Sequence, residues 1–446
     1  GVWMNGVPLP EDAPSVAAYL KDRGGYRTAL IGKAHFEPFL DFDRKFYENR
    51  MAMLGEYGPH RGFDHMELAA HTGRGFLHYP MWLVQHHPQA VNGFYPLLTP
   101  PSFEQNAAGG GETGAVQVQK NPIPRGLYHT DWVADRAIAW LDSLPADADW
   151  FCWVSFPDPH HPWDPPESET HRHRWQDEKL PPGWPASREA AEALLKDKPR
   201  HWLDWYRGDM VTNFEAPPDF VPAKVTADQL CEINALTHVK NELVDEACGR
   251  VWQAVQQRGW AADTDILYTA DHGELQGDFG LLFKGPYHVD ALMRLPYVWK
   301  PAASAKVGAG TIEAPVGQID LAPTFCAIAG LPVPDWMQGK PLPQDTAEAQ
   351  RQDRQRVLTE WDSEFKGISL HLRTIYRDQM VCTAYEKCSL YTGEEGELYD
   401  CRNDPMQRRN LWHDPAWQAR KRELVADLYG HLPKPREPKL AAVASV

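Results

Sequence analysis

The sequence predicts an α/β fold: a mostly parallel sheet between helices, then a small C-terminal antiparallel sheet with a helix. Three observations predict it. Helical periods and short apolar runs alternate between Pro14 and Glu274. Each apolar run ends in a cluster of polar residues. After about residue 345 the pattern changes to short strands separated by turn signals. Alternating helices and buried strands argue for parallel pairing with both faces covered.

Taken in order, Pro14 to Asp22 carries Val16, Ala17 and Leu20 at helical spacing, and Gly24-Gly25 terminates it. Ala29-Leu30-Ile31 is then a buried strand ending in Gly32-Lys33-Ala34-His35. Residues 42–128 are rich in Pro, Gly, His and Trp, show no sustained period and read as a long loop. Thr130 is placed to cap a helix to about Leu141, with Ala134, Ile138 and Leu141 on one face. The strand Trp150 to Phe156 follows and ends in Pro157-Asp158-Pro159-His160-His161-Pro162. Residues 163–230 read as a second long loop. A helix from about Leu236 to Gln257 puts Val239, Leu243, Ala247 and Val251 on one stripe, with Gly259 as its stop. Ile266 to Ala270 is a strand ending in Asp271-His272-Gly273-Glu274.

Further on, Val357-Leu358-Thr359, Ser369 to Ile375, Met380 to Tyr385 and Glu397-Leu398-Tyr399 read as antiparallel strands. A helix from about Asp414 to Leu432 closes the chain. The expected organisation is an α/β domain over 1–345, an α+β subdomain over 346–433 and a tail over 434–446.

The 446 residues carry 45 basic and 61 acidic side chains, a net charge of −16. That excludes a broad nucleic-acid surface, which needs clustered Lys and Arg. It leaves room for a small anionic or neutral ester substrate where a few cations converge. The seven cysteines are scattered without a C-x-x-C. They read as reduced thiols in a cytoplasmic chain. No run of about 18 apolar residues is present, so no membrane helix is expected. The 18 tryptophans, many in the long loops, suggest a homo-oligomer.

Ligands of parallel sheets bind beyond the carboxyl ends of the strands, where the polar clusters fall. Asp271-His272 pairs a hard oxygen ligand with an imidazole, which suits Zn, Mn or Ca. Lys33 and His35 offer a cation and a proton donor. His160-His161 sits in a stiff proline frame, and Lys284, near Tyr287 and His288, adds a cation. Together these are the parts of an oxyanion site beside a metal. One at a time, His161 and His60, His65, His71, His78, His86 and His87 read as ordinary loop residues.

These segments resemble the sulfatases of the alkaline phosphatase superfamily, over nearly the whole chain and in family order. Gly32-Lys33-Ala34-His35 resembles the family's G-K-x-H, and the segment through His160 and Pro162 its P-H-x-P. Asp271-His272-Gly273-Glu274, with Gly277-Asp278, Lys284, Arg294 and Pro296, resembles the D-[HN]-G block and its downstream lysine. Val316 to Thr324 and Gly396 to Asp400, with Asn403-Asp404-Pro405, match two further signatures. Asp271-His272 and the stretch Gly280 to Lys284 are most like the bacterial arylsulfatase and phosphonate monoester hydrolase branch.

The resemblance implies an alkaline-phosphatase-like fold. It implies that Asp271 and His272 bind a metal, and that Lys33, His35, His160 and Lys284 hold the sulfate or phosphate group. His35 or His160 would protonate the leaving oxygen, and Asn5 would face the pocket. The family's nucleophile segment, C-x-P-x-R or S-x-P-x-R preceded by paired acidic ligands, does not occur in residues 1–446. The expectation is therefore a chain lacking that N-terminal segment and one central strand. Neighbouring strands or another subunit are expected to close the gap.

No formylglycine is expected, and His35 and His160 are the first candidates to complete the metal site. His161, His238 and His288 stand in reserve. Zinc is the expected ion, with manganese or calcium as alternatives. The expected function is hydrolysis of phosphate or phosphonate esters, diesters and triesters favoured, by metal-bound hydroxide. The alternatives are a non-catalytic anion-binding or assembly protein, and an incomplete sequence of an ordinary arylsulfatase.

Overall fold

The computed structural model describes residues 2–39, 41, 43–95, 110–211, 216–217, 220–365, 367–434 and 437–443. Ser15 caps the first helix, α1 (Val16–Gly24), by accepting from the Ala18 amide, and Gly25 ends it at φ 73°. The strand β1 (Arg27–Gly32) follows, with Ala29, Leu30 and Ile31 fully buried. It is the middle of a three-stranded parallel sheet, between β2 (His65–Leu68) and β3 (Trp150–Ser155).

The stretch expected to be a loop over 42–128 is more structured than its sequence suggests. It contains α2 (Tyr47–Leu54), β2 and α3 (His78–His86). β2 has only four residues, His65 and Glu67 among them, so no apolar run announces it. Pairing with β1 buries Met66 and Leu68.

Helix α4 (His129–Ser143) then buries Val133, Ala134, Ala137 and Leu141, while Ile138 is only half-buried. Thr130 is not its cap. Tyr128 holds that position, and the Thr130 hydroxyl donates to the Asp158 carboxylate. The second expected loop contains α5 (Arg188–Leu195) and α6 (Arg200–Arg207). Trp163, Trp202 and Trp205 are at most 1% exposed. These loop tryptophans pack the chain's own core, which removes them as grounds for a subunit contact.

The spine of the molecule is α7 (Ala227–Gln257), which starts well before the expected Leu236. A capping box between Thr226 and Gln229 sets that start. Val239, Leu243 and Ala247 are fully buried, and Gly259, at φ 78°, follows its end. β4 (Ile266–Thr269) comes next. After the short α8 (Asp290–Met293), β5 (Tyr297–Lys300) pairs antiparallel with β4. Among the described residues β3 and β4 share no ladder. The expected closing of neighbouring strands has not taken place: Trp153 and Tyr268 on those strands stay 43% and 46% exposed.

Helices α9 (Leu321–Ile328) and α10 (Thr346–Arg351) lead to an antiparallel sheet. Its strands β6 (Arg356–Phe365), β7 (Ile368–Arg377), β8 (Met380–Tyr385) and β9 (Gly396–Asp400) lie in chain order. Helix α11 (Gln418–His431) packs on it through Leu424 and Leu428. Val381 and Tyr399 join the main core. The described part of the expected tail is not loose: Trp3 Nε1–H donates to Leu440 O at 2.9 Å and Val443 N–H to Gly6 O at 2.8 Å.

Gly32 makes the exit from β1. Its φ is 110°, and a Cβ there would stand 1.8 Å from the Ser155 carbonyl oxygen. Gly32→Ala is expected to destabilise the fold by about 2–4 kcal/mol, from backbone strain plus overpacking. Thermal unfolding checks this. An unchanged midpoint would show that β1 and β3 part cheaply at this end.

Candidate active site at the carboxyl edge of the sheet

Lys33 follows the Gly32 turn, and its backbone N–H donates to Ser155 O at 2.9 Å. The side chain points toward the end of β4: Lys33 Nζ lies 3.6 Å from Asp271 Oδ2. The loop beyond β4 doubles back through Gly273 N–H to Leu292 O and Leu275 N–H to Phe283 O, which returns Lys284 to the strand ends. There Lys284 Nζ donates to His160 Nε2 at 2.8 Å. The rings of His160 and His272 are 6.0 Å apart. The ends of β1, β3 and β4 thus bring Lys33, His160, Asp271, His272 and Lys284 together.

Protonation follows from these contacts. His160 Nδ1–H donates to the His161 carbonyl, so Nε2 carries the lone pair that receives Lys284. Burial first, then the charge of Lys284, drives the His160 pKa well below its usual value. His272 Nδ1–H donates to Gly273 O at 2.8 Å, which leaves its Nε2 lone pair 3.7 Å from Asp271 Oδ2. Burial and then Lys284 lower His272 as well. For Asp271, partial desolvation opposes ionisation, but Lys33 and His272 outweigh it and lower the pKa. The result is an ionised carboxylate and two neutral imidazoles among two lysines.

The His160 segment is held from beneath by a buried ion pair. Lys240 of α7 and Asp158 have fully buried side chains and meet at 2.8 Å. Lys240 Nζ also donates to His160 O at 2.6 Å and Pro162 O at 2.9 Å. Asp158 accepts from Tyr128 OH at 3.1 Å and from Thr130. Burial would raise the Asp158 carboxyl; Lys240 overcomes this and holds it below the usual range.

The sequence profile of the family described as Sulfatase matches residues 1–331, and that of the N-sulphoglucosamine sulphohydrolase C-terminal region matches 277–433. The chain belongs to the sulfatase family. That makes it a hydrolase of the alkaline phosphatase superfamily.

It is 26% identical over 443 residues to the protein described as uncharacterized sulfatase YidJ of Escherichia coli K12, across 98% of this chain and 75% of that one. It is 26% identical over 317 residues to the multifunctional alkaline phosphatase superfamily protein PehA of Trinickia caryophylli, across 68% of this chain and 59% of that one. Its fold matches the phosphonate monoester hydrolase of Agrobacterium radiobacter with a TM-score of 0.73 at 24% identity, covering 96% of this chain and 81% of that one. These matches do not show the expected truncation.

Sulfatase-family enzymes depend on a divalent metal. The pair Asp271–His272 fits such an ion in part. A carboxylate oxygen and an imidazole lone pair face each other at 3.7 Å, both in the protonation state a ligand needs. Two donors leave the shell incomplete. Among the described residues, groups of three ligand atoms form instead at His173–Glu178–His238 and at Glu37–Glu48–His60.

The remaining sequence candidates fall as follows. His35 is exposed, at φ 57°, with its ring 5.9 Å from Phe39, and it lines one pocket with Lys33 and His71. His161 is buried against Phe283. His288 is buried 2.6 Å from the Thr374 hydroxyl, and burial pushes it down to about 4. His238 lies beside Glu178, and Asn5 is exposed.

Sequence reasoning missed Lys240, Asp158 and His71. The His71 ring stacks on His160 at 4.3 Å. Its position just past β2, as Lys33 lies just past β1, was the available signal.

Lys240→Met leaves Asp158 buried without its cation and is expected to cost about 3–5 kcal/mol. The double variant Lys240→Met/Asp158→Asn should recover part of that loss. Thermal or denaturant unfolding of the three variants checks this, and strict additivity would show that the pair is not coupled.

Proposed function

We propose that this sulfatase-family chain hydrolyses phosphonate and phosphate esters, with diesters favoured over triesters and sulfate esters. Family membership supports hydrolysis of sulfate or phosphonate esters in general. The observation that carries the finer reading is the convergence of Lys33 and Lys284 on either side of Asp271 and His272. Two ammonium groups suit an ester that keeps an ionised oxygen, which a triester lacks. The fold also lies nearer to the phosphonate monoester hydrolases, at TM-scores of 0.73 and 0.72, than to the sulfatase from Bacteroides thetaiotaomicron at 0.58.

In this reading Lys33 and Lys284 hold the non-bridging oxygens and neutralise charge as it develops. His160 is a positioning residue: its Nε2 lone pair aims Lys284, and His71 supports its ring from behind. His35, exposed in the pocket it lines with Lys33 and His71, delivers the proton to the leaving oxygen. Asp271 and His272 would hold the divalent ion, zinc or manganese by donor type, which supplies Lewis acidity at the ester. The same reading places the chain in the cytoplasm, consistent with seven free thiols.

A panel of p-nitrophenyl sulfate, phosphate, phosphodiester, phosphonate and phosphotriester substrates tests this, run on metal-loaded and chelator-treated protein. Lys33→Ala and Lys284→Ala are each expected to lower kcat/KM by about 10²–10³-fold, the usual loss of one oxyanion donor. His35→Gln should slow alkyl leaving groups far more than p-nitrophenolate. Full activity in both lysine variants, or turnover confined to sulfate, sinks the reading.

A further inference from the structure

A second cluster of ligand-type residues lies on the outer face of α7, separate from the strand-end site. His238 Nδ1 is 3.2 Å from Glu178 Oε1, and His173 Nδ1 is 3.5 Å from the same oxygen. The ligand atoms of the three residues all lie within 4.8 Å of one another. In a tetrahedral zinc site with bonds of about 2.0–2.2 Å, neighbouring ligand atoms stand roughly 3.3–3.6 Å apart. Both separations are close to that spacing.

A fourth residue orients the set. His173 Nε2 lies 2.8 Å from Glu242 Oε1. A carboxylate only accepts, so Nε2 carries the hydrogen, and in the neutral ring the lone pair is on Nδ1, facing Glu178. A carboxylate behind a ligating imidazole is the arrangement that fixes tautomer and ring direction at metal sites. Helix geometry supplies half of the cluster, because His238 and Glu242 are one turn apart on α7. The other half comes from the crossing segment that starts at His160: His173 follows one 3₁₀ turn and Glu178 the next. The Cys231 thiol of α7 donates to Glu178 O at 3.8 Å.

We propose that His173, Glu178 and His238 bind a zinc ion, oriented by Glu242, which fastens the segment leaving His160 to the outside of α7. Two imidazoles and a carboxylate suit zinc better than calcium or magnesium, which prefer all-oxygen shells. Glu178 brings a carboxylate charge to the ion, and Glu242, whose Oε2 accepts from Arg172 at 3.1 Å, is held in place behind His173. The role is structural, because the cluster lies on the outer face while Lys240, between His238 and Glu242 in sequence, turns inward to hold His160.

The test uses the full chain, stripped with a chelator and titrated with zinc chloride, read by bound metal per chain and by thermal midpoint. Wild type and Asp271→Ala should both bind zinc with a rise in midpoint. The His173→Gln/His238→Gln variant should bind about one equivalent less than wild type and lose most of that rise. Glu242→Gln should bind about 10–100-fold more weakly without losing the site. Circular dichroism and the metal-free midpoint confirm that the surface variants fold. Equal zinc content and an equal midpoint rise in wild type and the double histidine variant, including none in either, would overturn the proposal. So would loss of all binding in Asp271→Ala alone.

Discussion

The buried pair of Lys240 and Asp158 is the constraint on which the site depends. Taking two charges out of water costs several kcal/mol for each, so such a pair persists only where geometry and added hydrogen bonds offset the loss. Here the offset is visible. Lys240 spends its donors on Asp158, His160 O and Pro162 O. Asp158 is met by Tyr128 and Thr130 from the opposite helix. The arrangement ties α4, α7 and the end of β3 to one point. That point fixes the His160 backbone, and through its ring the ammonium of Lys284.

The electrostatics above this point follow from position. The chain as a whole is acidic, at −16, yet two lysines converge at its strand ends. Their charge, added to burial, keeps His160 and His272 neutral. Neutral imidazoles can accept from an ammonium or coordinate an ion; imidazolium could do neither. The lysines therefore do more than attract an anion: they keep the neighbouring rings usable. Asp271 stays ionised because Lys33 stands over it.

Much of this was legible in the sequence, and the boundary has physical causes. The elements with a clear period and an end signal were readable: α1 with Gly25, β1, β3, α7 with Gly259, β4 and the C-terminal strands. β2 was not, because a strand of four residues with two polar members has no apolar run to show. In α2 and α3 aromatic and charged residues interrupt the period, and tertiary burial overrides propensity. Helices α5 and α6 do carry signals, Ser187 as a cap before a run of helix formers and Trp202, Trp205 and Tyr206 at helical spacing, masked by the prolines and tryptophans around them. At the site, the convergence of Lys33, His160, Asp271 and His272 was readable because they follow strands, whereas Lys284 reaches them through the loop that doubles back beyond β4. His71 was lost with the strand that carries it. Lys240 and Asp158 were lost because a charge inside a helix or loop reads as solvated until its partner is seen. Thr130 was misread as a cap because sequence shows a hydroxyl at a helix start and not the carboxylate that claims it.

Helix α7 shows why these matters are joined. Its buried stripe of Val239, Leu243 and Ala247 is ordinary helix packing and fixes the rotation of the helix. Once the rotation is set, the rest is geometry. Lys240 must enter the interior, where only Asp158 and two carbonyls make it tolerable. His238 and Glu242, two residues to either side, must face outward across the segment that Lys240 anchors. The apolar pattern of one helix thus decides which residue holds the active-site loop from within and which residues meet its continuation from without. Moving that pattern by one residue would withdraw Lys240 from Asp158 and disperse the outer cluster together, because 3.6-residue periodicity lets neither face move alone.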